Sequence, residues 1–179
     1  MSRVFITVDS PDRDDVRALL DEHLADMYAT SPPESVHALD HTALLAPSVT
    51  FLTARGADGT LLGCGALSEL AATAPGSPGH GELKSMRTAR AARGRGVATA
   101  VLGRLLELAA ERGYGRVSLE TGTQEFFAPA RRLYARHGFA ECGPFGRYAL
   151  DPHSVFMTRE LTAGEEEALS TSSRARAGR

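Results

Sequence analysis

A chain of 179 residues, 42% hydrophobic and 23% charged, has the composition of a globular protein and is long enough for one domain with a full core. A net charge of −2 and a pI near 6.3 argue against a strong pull toward nucleic acid or an anionic membrane, so neither partner is expected. Cys64 and Cys142 form no CxxC or Cys/His ligand set and read as buried free thiols, so no metal site is expected.

Residues 3–8 alternate and read as a strand. Asp9 or Ser10 then caps a helix that runs through Tyr28, with Val16, Leu19, Leu20, His23, Leu24 and Met27 at helical spacing. Ser31-Pro32-Pro33 breaks it, and a second short helix is predicted over 34–45. Residues 49–55 and 61–70 pair as strands about a turn at 57–59. Residues 71–80 are rich in Ala, Pro, Gly and Ser and read as a flexible connection to the next strand, 81–88. The longest periodic stretch is 96–112, with Val97, Val101, Leu102, Leu105, Leu106 and Ala109 on one face and Gly113 at its end. A strand at 116–121, a helix at 129–137 and strands at 139–142 and 155–161 complete the domain. Residues 1–161 are thus expected to form a single α/β domain: a mixed, mostly antiparallel sheet of seven strands with four helices. Residues 162–179 are polar, have no core to join and are expected to be disordered. Nothing at the N-terminus resembles a signal peptide and no apolar run is long enough to span a bilayer, which gives a cytoplasmic expectation.

The most informative stretch is Arg93-Gly94-Arg95-Gly96-Val97-Ala98, set immediately before the longest helix. Glycines at a helix start let the backbone approach an anion, and the free N–H groups of the first turn add the positive end of the helix dipole. Arg90 or Arg93 is placed to reach a phosphate directly. A solvated structural turn is the plainer alternative for this stretch taken alone.

Four motifs in order change that balance. Arg93, Gly96 and Ala98 meet an Arg/Gln-x-x-Gly-x-Gly/Ala signature, and Glu82-Leu83-Lys84-Ser85-Met86-Arg87-Thr88 forms the strand before it. Ser118-Leu119-Glu120-Thr121 follows at the expected distance, and Leu133-Tyr134-Ala135-Arg136-His137-Gly138-Phe139 makes an LYxxxGF junction. Over residues 3–161 this pattern resembles the GNAT acyl-coenzyme A N-acyltransferases. The stretches 31–40 and 151–157 resemble the bacterial YsnE-type branch of that family.

The resemblance implies an acetyl-CoA-dependent N-acetyltransferase with acetyl-CoA as co-substrate. Its pyrophosphate is expected on the N–H groups of Arg95, Gly96, Val97, Ala98 and Thr99, with Gly94 and Gly96 permitting close approach and Arg93 counted among the cofactor-binding residues. The pantetheine arm is expected against Met86, Arg87 and Thr88, with the Met86 N–H as oxyanion donor. Phe127 and Arg131 are also expected among the cofactor-binding residues, although Phe127 stands where many members carry asparagine, which removes an amide contact to the pantetheine arm. Tyr134 corresponds to the acid that protonates the departing thiolate; the alternative is an amphipathic core tyrosine.

Glu82 corresponds to the glutamate base of some members. It lies about 13 Å along the strand from Met86, so a water relay is required. Its alternative is a structural ion pair with Lys84. Tyr28, Glu34, His37, Lys84 and Thr121 are the candidate acceptor-binding residues. The expected reaction is direct transfer to a primary amine of a small or amino-acid-like molecule in a ternary complex, with no cysteine placed for an acyl intermediate. Two alternatives stand beside it: a non-catalytic acyl-CoA sensor, and an acetyltransferase acting on a protein amine. Oligomeric state, including a homodimer, stays open.

Overall fold

The computed structural model describes residues 3–37 and 41–161; the predicted tail at 162–179 and the middle of the predicted second helix lie outside them. In chain order the elements are β1 (Val4–Val8), α1 (Asp14–Thr30), α2 (His41–Leu44), β2 (Val49–Gly56), β3 (Leu61–Leu70), β4 (Gly79–Thr88), α3 (Val97–Glu111), β5 (Tyr114–Gly122), α4 (Ala128–Arg136), β6 (Ala140–Cys142) and β7 (Ser154–Glu160). One seven-stranded sheet runs β1-β2-β3-β4-β5-β7-β6. Every neighbouring pair is antiparallel except β4 and β5. The α/β class, the strand count and the element order agree with the sequence pattern.

Strand alternation divides the side chains between two layers. Leu52, Ala54, Leu67, Leu83, Val117 and Leu119 join Val97, Val101, Leu102, Leu105 and Leu106 of α3 in the larger core. Phe51, Cys64 and Ala66 point the other way and pack with Val16, Leu19 and Leu20 of α1 and Leu44 of α2. On that second face the β4 and β5 positions are polar: His80, Glu82 and Lys84 alternate along β4, and Arg116, Ser118 and Glu120 along β5. The segment between β6 and β7 covers this polar half through Phe145 and Tyr148, whose rings pack on one another and on Phe156.

Two irregularities in β4 make room for chemistry. Pairing with β5 ends at Leu83–Leu119, so the β5-facing edge of β4 is open beyond it. On the other edge the register with β3 shifts between Cys64 and Ala66, and Ser85 takes a positive φ of 53°. The bulge sets Ser85 and Met86 against Gly65, where an added Cβ would meet the Met86 sulfur at 2.5 Å. Nothing in the sequence reading anticipated the bulge.

Three local expectations are corrected. Asp9 does not cap α1, which begins at Asp14 with no side-chain cap. Its carboxylate instead accepts from Thr53 Oγ1 at 2.9 Å and from the Arg55 guanidinium, tying the loop to β2. Among the described residues, the span predicted as a helix over 34–45 holds a 3₁₀ turn at Pro33–Ser35 and the single-turn α2. Between them the His37 carbonyl accepts from Lys84 Nζ at 3.0 Å, a tertiary bond in place of a helical one. Cys142 is half-buried where a buried thiol was expected; Cys64 is buried.

Candidate active site

Three adjoining spaces cross the sheet where β4 and β5 part. A cleft of about 570 Å³ is bounded by Met86, Arg87, Thr88, Arg93, Gly94, Gly96, Val97, Ala98, Thr99, Phe127 and Tyr134. A throat of about 90 Å³ adjoins it, sharing His23, Met86, Phe127, Ala130 and Tyr134 and adding Lys84, Ser85, Glu120 and Thr121. Beyond His37, which borders both, a chamber of about 1140 Å³ opens over the polar sheet face.

The cleft is built for an anion with an extended tail. Gly96 stands at the N-cap of α3 and offers no side-chain cap, so the N–H groups of Val97, Ala98 and Thr99 have no intrahelical partner. Gly94 and Gly96 hold φ of 73° and 76°, a region costly for side-chain-bearing residues, and nothing lies within 4 Å of a Cβ added at either. The turn therefore requires glycine for its backbone shape and presents open space in front of its donors. The free edge of β4 beyond Leu83 supplies further unpaired main-chain groups, and the buried Ser85 hydroxyl in the throat has no partner among the described residues. These features fit an acyl-CoA: phosphates at the α3 start and an arm along β4.

Tyr134 is 6% exposed, borders both cleft and throat, and packs edge-on to Phe139 at 5.8 Å. Burial pushes its pKa up, so the hydroxyl stays protonated at neutral pH. His23 borders the same two spaces, and burial, with the Arg87 charge second, pushes it down to about 4.

In the chamber, Glu82 is 6% exposed and held through one oxygen: Tyr148 donates to its Oε1 at 2.5 Å, and Lys84 Nζ lies 3.1 Å from the same atom. Lys84 Nζ also donates to Tyr148 Oη at 2.6 Å and to the His37 carbonyl at 3.0 Å. The predicted Glu82–Lys84 pair therefore exists, reinforced by a tyrosine. Burial and the nearby Glu82 charge raise the Tyr148 pKa. Glu120 has a different setting. It borders the throat, accepts a 2.7 Å bond from Ser154 Oγ, and has its pKa raised by burial against the lowering effect of that bond. At the far side His80 Nε2 meets Ser118 Oγ at 2.7 Å, and Ser118 Oγ meets Thr158 Oγ1 at 2.8 Å. Burial holds His80 near 4, so its imidazole is neutral.

The structure gathers Tyr134, Met86, Thr88, Arg93, Gly94, Gly96, Val97, Ala98, Thr99, Phe127, His37, Lys84 and Thr121 around the connected spaces. It does not bring Tyr28, Glu34, Arg95 or Arg131 to them. Tyr28 is 58% exposed on α1 and Glu34 is exposed on the 3₁₀ turn. Arg95 is exposed and does not line the cleft, and Arg131 donates to the Gly122 and Gln124 carbonyls, fastening the end of β5.

The Arg87 side chain turns to α1, bonding Glu22 and Asp26 at 2.6 Å each, and Arg90 joins the same carboxylates. Cys142 lines the chamber, a placement the sequence reading did not foresee, but burial raises its pKa and it lies off the throat. Glu120, Tyr148 and His23 were missed. Glu120 was legible by alternation with Ser118, whereas Tyr148 sits in an aperiodic loop that offers no signal.

The Acetyltransferase (GNAT) family matches residues 16–139. The chain is 49% identical over 146 residues to the uncharacterized N-acetyltransferase YsnE of Bacillus subtilis (strain 168), covering 82% of this chain and 92% of that one. It is 40% identical over 164 residues to a protein of Azospirillum brasilense named IAA acetyltransferase, covering 90% and 100%. A Klebsiella pneumoniae chain provisionally described as an acyl-CoA N-acyltransferase superposes with a TM-score of 0.69 at 27% identity, over 89% of this chain and 98% of that one. A Bacillus subtilis acetyltransferase solved with CoA shares the fold at 15% identity, with a TM-score of 0.64 over 89% and 100%. Fold, open β4 edge and sequence agree: the chain belongs to the GNAT family of acetyltransferases.

Proposed function

We propose that this enzyme transfers an acetyl group from acetyl-CoA to the primary amine of a small-molecule acceptor, by direct attack in a ternary complex. The carrying observation is that a cleft suited to the CoA arm and a separate polar chamber meet at one throat, bordered by Met86 and Tyr134. The bound thioester supplies an activated acyl carbon. Residues 94–99 hold the phosphates through main-chain donors, and the exposed Arg93 at the cleft adds charge. The Met86 N–H serves as the oxyanion donor, and the protonated Tyr134 gives its proton to the leaving sulfur.

Two carboxylates are candidates to take the amine proton. Glu120 borders the throat and has one oxygen fixed by Ser154, so it is assigned the direct role. Glu82, proposed from sequence as the base, is held by Lys84 and Tyr148 and acts on Glu120 through its charge, which raises the Glu120 pKa. The name of the Azospirillum relative is in keeping with a small acceptor.

Initial-rate kinetics test the reading, with CoA release followed across an amine panel. Intersecting double-reciprocal lines and an acetylated amine product are expected. Parallel lines would indicate an acyl-enzyme. CoA binding without transfer to any small amine would favour a sensor or a protein acceptor.

A further inference from the structure

The chamber has a charge pattern that the transfer reaction does not use. Its interior carboxylate Glu82 is paired with Lys84, whose charge is thereby matched and whose Nζ also donates to Tyr148 and to the His37 carbonyl. His80 is neutral and bonded to Ser118, and His37 faces Asp151 at 3.8 Å. Two guanidinium groups remain in the lining, Arg116 from β5 and Arg147 from the covering loop. Among the described residues neither makes an ion pair or a side-chain hydrogen bond. Glu160 is the cross-strand neighbour of Arg116 yet forms no ion pair with it, and Glu69 stands exposed on the chamber rim. Arg116 is half-buried, and its charge reaches both neighbours: it adds to the burial that lowers the His80 pKa and opposes the burial that raises the Cys142 pKa. A half-buried cation without a counter-ion is a ready site for an anionic ligand group.

Position adds a length requirement. Arg116 and Glu120 lie on the same face of β5, four residues apart, so their backbones are separated by about 13 Å. Between them the floor is polar and the cover aromatic, with Phe145 and Tyr148 rings 5.1 Å apart. A molecule lying between the two ends would have its amine at the throat, a flat apolar body under the aromatic cover and an anion at Arg116.

We infer that the acceptor is an elongated primary amine with a carboxylate or similar anion at its far end, and that Arg116 is the anion-binding residue, assisted by Arg147. This rests on the proposed amine transfer for its catalytic end only; the anion subsite stands on the chamber itself.

Matched probes separate the two. 4-(2-Aminoethyl)benzoate and its neutral isostere 4-methylphenethylamine share body and amine and differ in the anion. The wild type should favour the benzoate in kcat/KM by about tenfold or more, the effect of one charge-assisted pair. Arg116→Met should collapse that ratio toward one, and Arg116→Lys should restore part of it. In parallel, calorimetry of 4-ethylbenzoate, which has no amine, should show binding to the CoA-loaded wild type and about tenfold weaker binding to Arg116→Met. Equal use of both amines by the wild type, or an unchanged ratio in Arg116→Met, overturns the inference. If neither amine is acetylated, calorimetry decides: charge-dependent 4-ethylbenzoate binding upholds the subsite while the transfer reading fails, and no binding removes the subsite.

Discussion

Tyr134 and Glu120 face the throat with opposite tasks, and their environments push both toward the protonated form. That suits a donor directly and a base conditionally. For Tyr134 the expectation is simple: Tyr134→Phe should lower kcat by roughly a hundredfold or more, within the range of general acid catalysis, with CoA affinity little changed. Wild-type turnover in that variant would remove the hydroxyl from the mechanism. For Glu120 the pH profile is the sharper instrument. Burial, and behind it the Glu82 charge, raises its pKa, while the Ser154 bond, His37 and Lys84 lower it. kcat/KM should therefore rise with pH as Glu120 ionises. Glu120→Gln should abolish that limb and depress the neutral-pH rate. The loss should ease toward high pH, where more of an alkyl amine of pKa about 10.4 is free. Glu82→Gln removes a neighbouring negative charge, so the limb should persist and move to lower pH. A limb lost in Glu82→Gln and kept in Glu120→Gln would reverse the two assignments.

At the scale of elements, the α3 start and the α1 docking can each be probed by one side chain. A valine at Gly96 would confound binding with backbone strain, because the left-handed φ there costs a non-glycine residue roughly 1–2 kcal/mol. Ala98→Glu avoids this. An acidic residue in the first turn of α3 complements the helix dipole, so stability should hold or rise by about 0.3–1 kcal/mol. The same charge should repel the pyrophosphate and weaken CoA binding. Unaltered CoA affinity in this stable variant would place the phosphates elsewhere.

α1 has its own anchor. Arg87 is buried on β4 and holds Glu22 and Asp26, so Arg87→Met should destabilise the domain by about 2 kcal/mol, the scale of a lost charged hydrogen bond. Denaturant titration measures it; a change below experimental error would show that α1 is held by its apolar face alone.

These two elements also show what the sequence could carry. The α3 face and its glycine turn were legible because periodicity and glycine spacing are local signals. The Arg87 anchor was not, because it joins residues 61 and 65 positions apart. The family resemblance accordingly assigns Arg87 to the cofactor, whereas its side chain belongs to α1. The Ser85 bulge and the Tyr148 contact were hidden for the same reason: each depends on a neighbouring segment rather than on its own sequence.

For the molecule as a whole, the titratable groups set a stability profile whose sign differs between groups. His23 and His80 are held near 4 against an ordinary 6.5, so the unfolded chain binds more protons than the folded one between those values. Stability should therefore fall as pH drops from 6.5 toward 4. Asp9, Asp15, Glu22 and Asp26 have lowered pKa values, with Arg55 or Arg87 hydrogen bonds among the causes. Their contribution is present above the ordinary values of 3.8 and 4.5 and is lost as pH falls through the still lower folded values. Glu120 runs the other way: its raised pKa means that stability is lost as pH rises through it.

The two histidines make the testable part, since their window is separate from the carboxylates below it. His80→Gln keeps a polar partner for Ser118 but cannot gain a proton, so it should flatten the fall in melting temperature between pH 6.5 and 4. It should leave the steep acid loss below that range in place, because α1 remains tied to Arg55 and Arg87. Thermal unfolding of both proteins at intervals across this range reads the difference directly. Parallel curves through pH 6.5 to 4 would mean that His80 titrates alike in the folded and unfolded chains, and that the polar floor of the chamber is wetter than its burial implies.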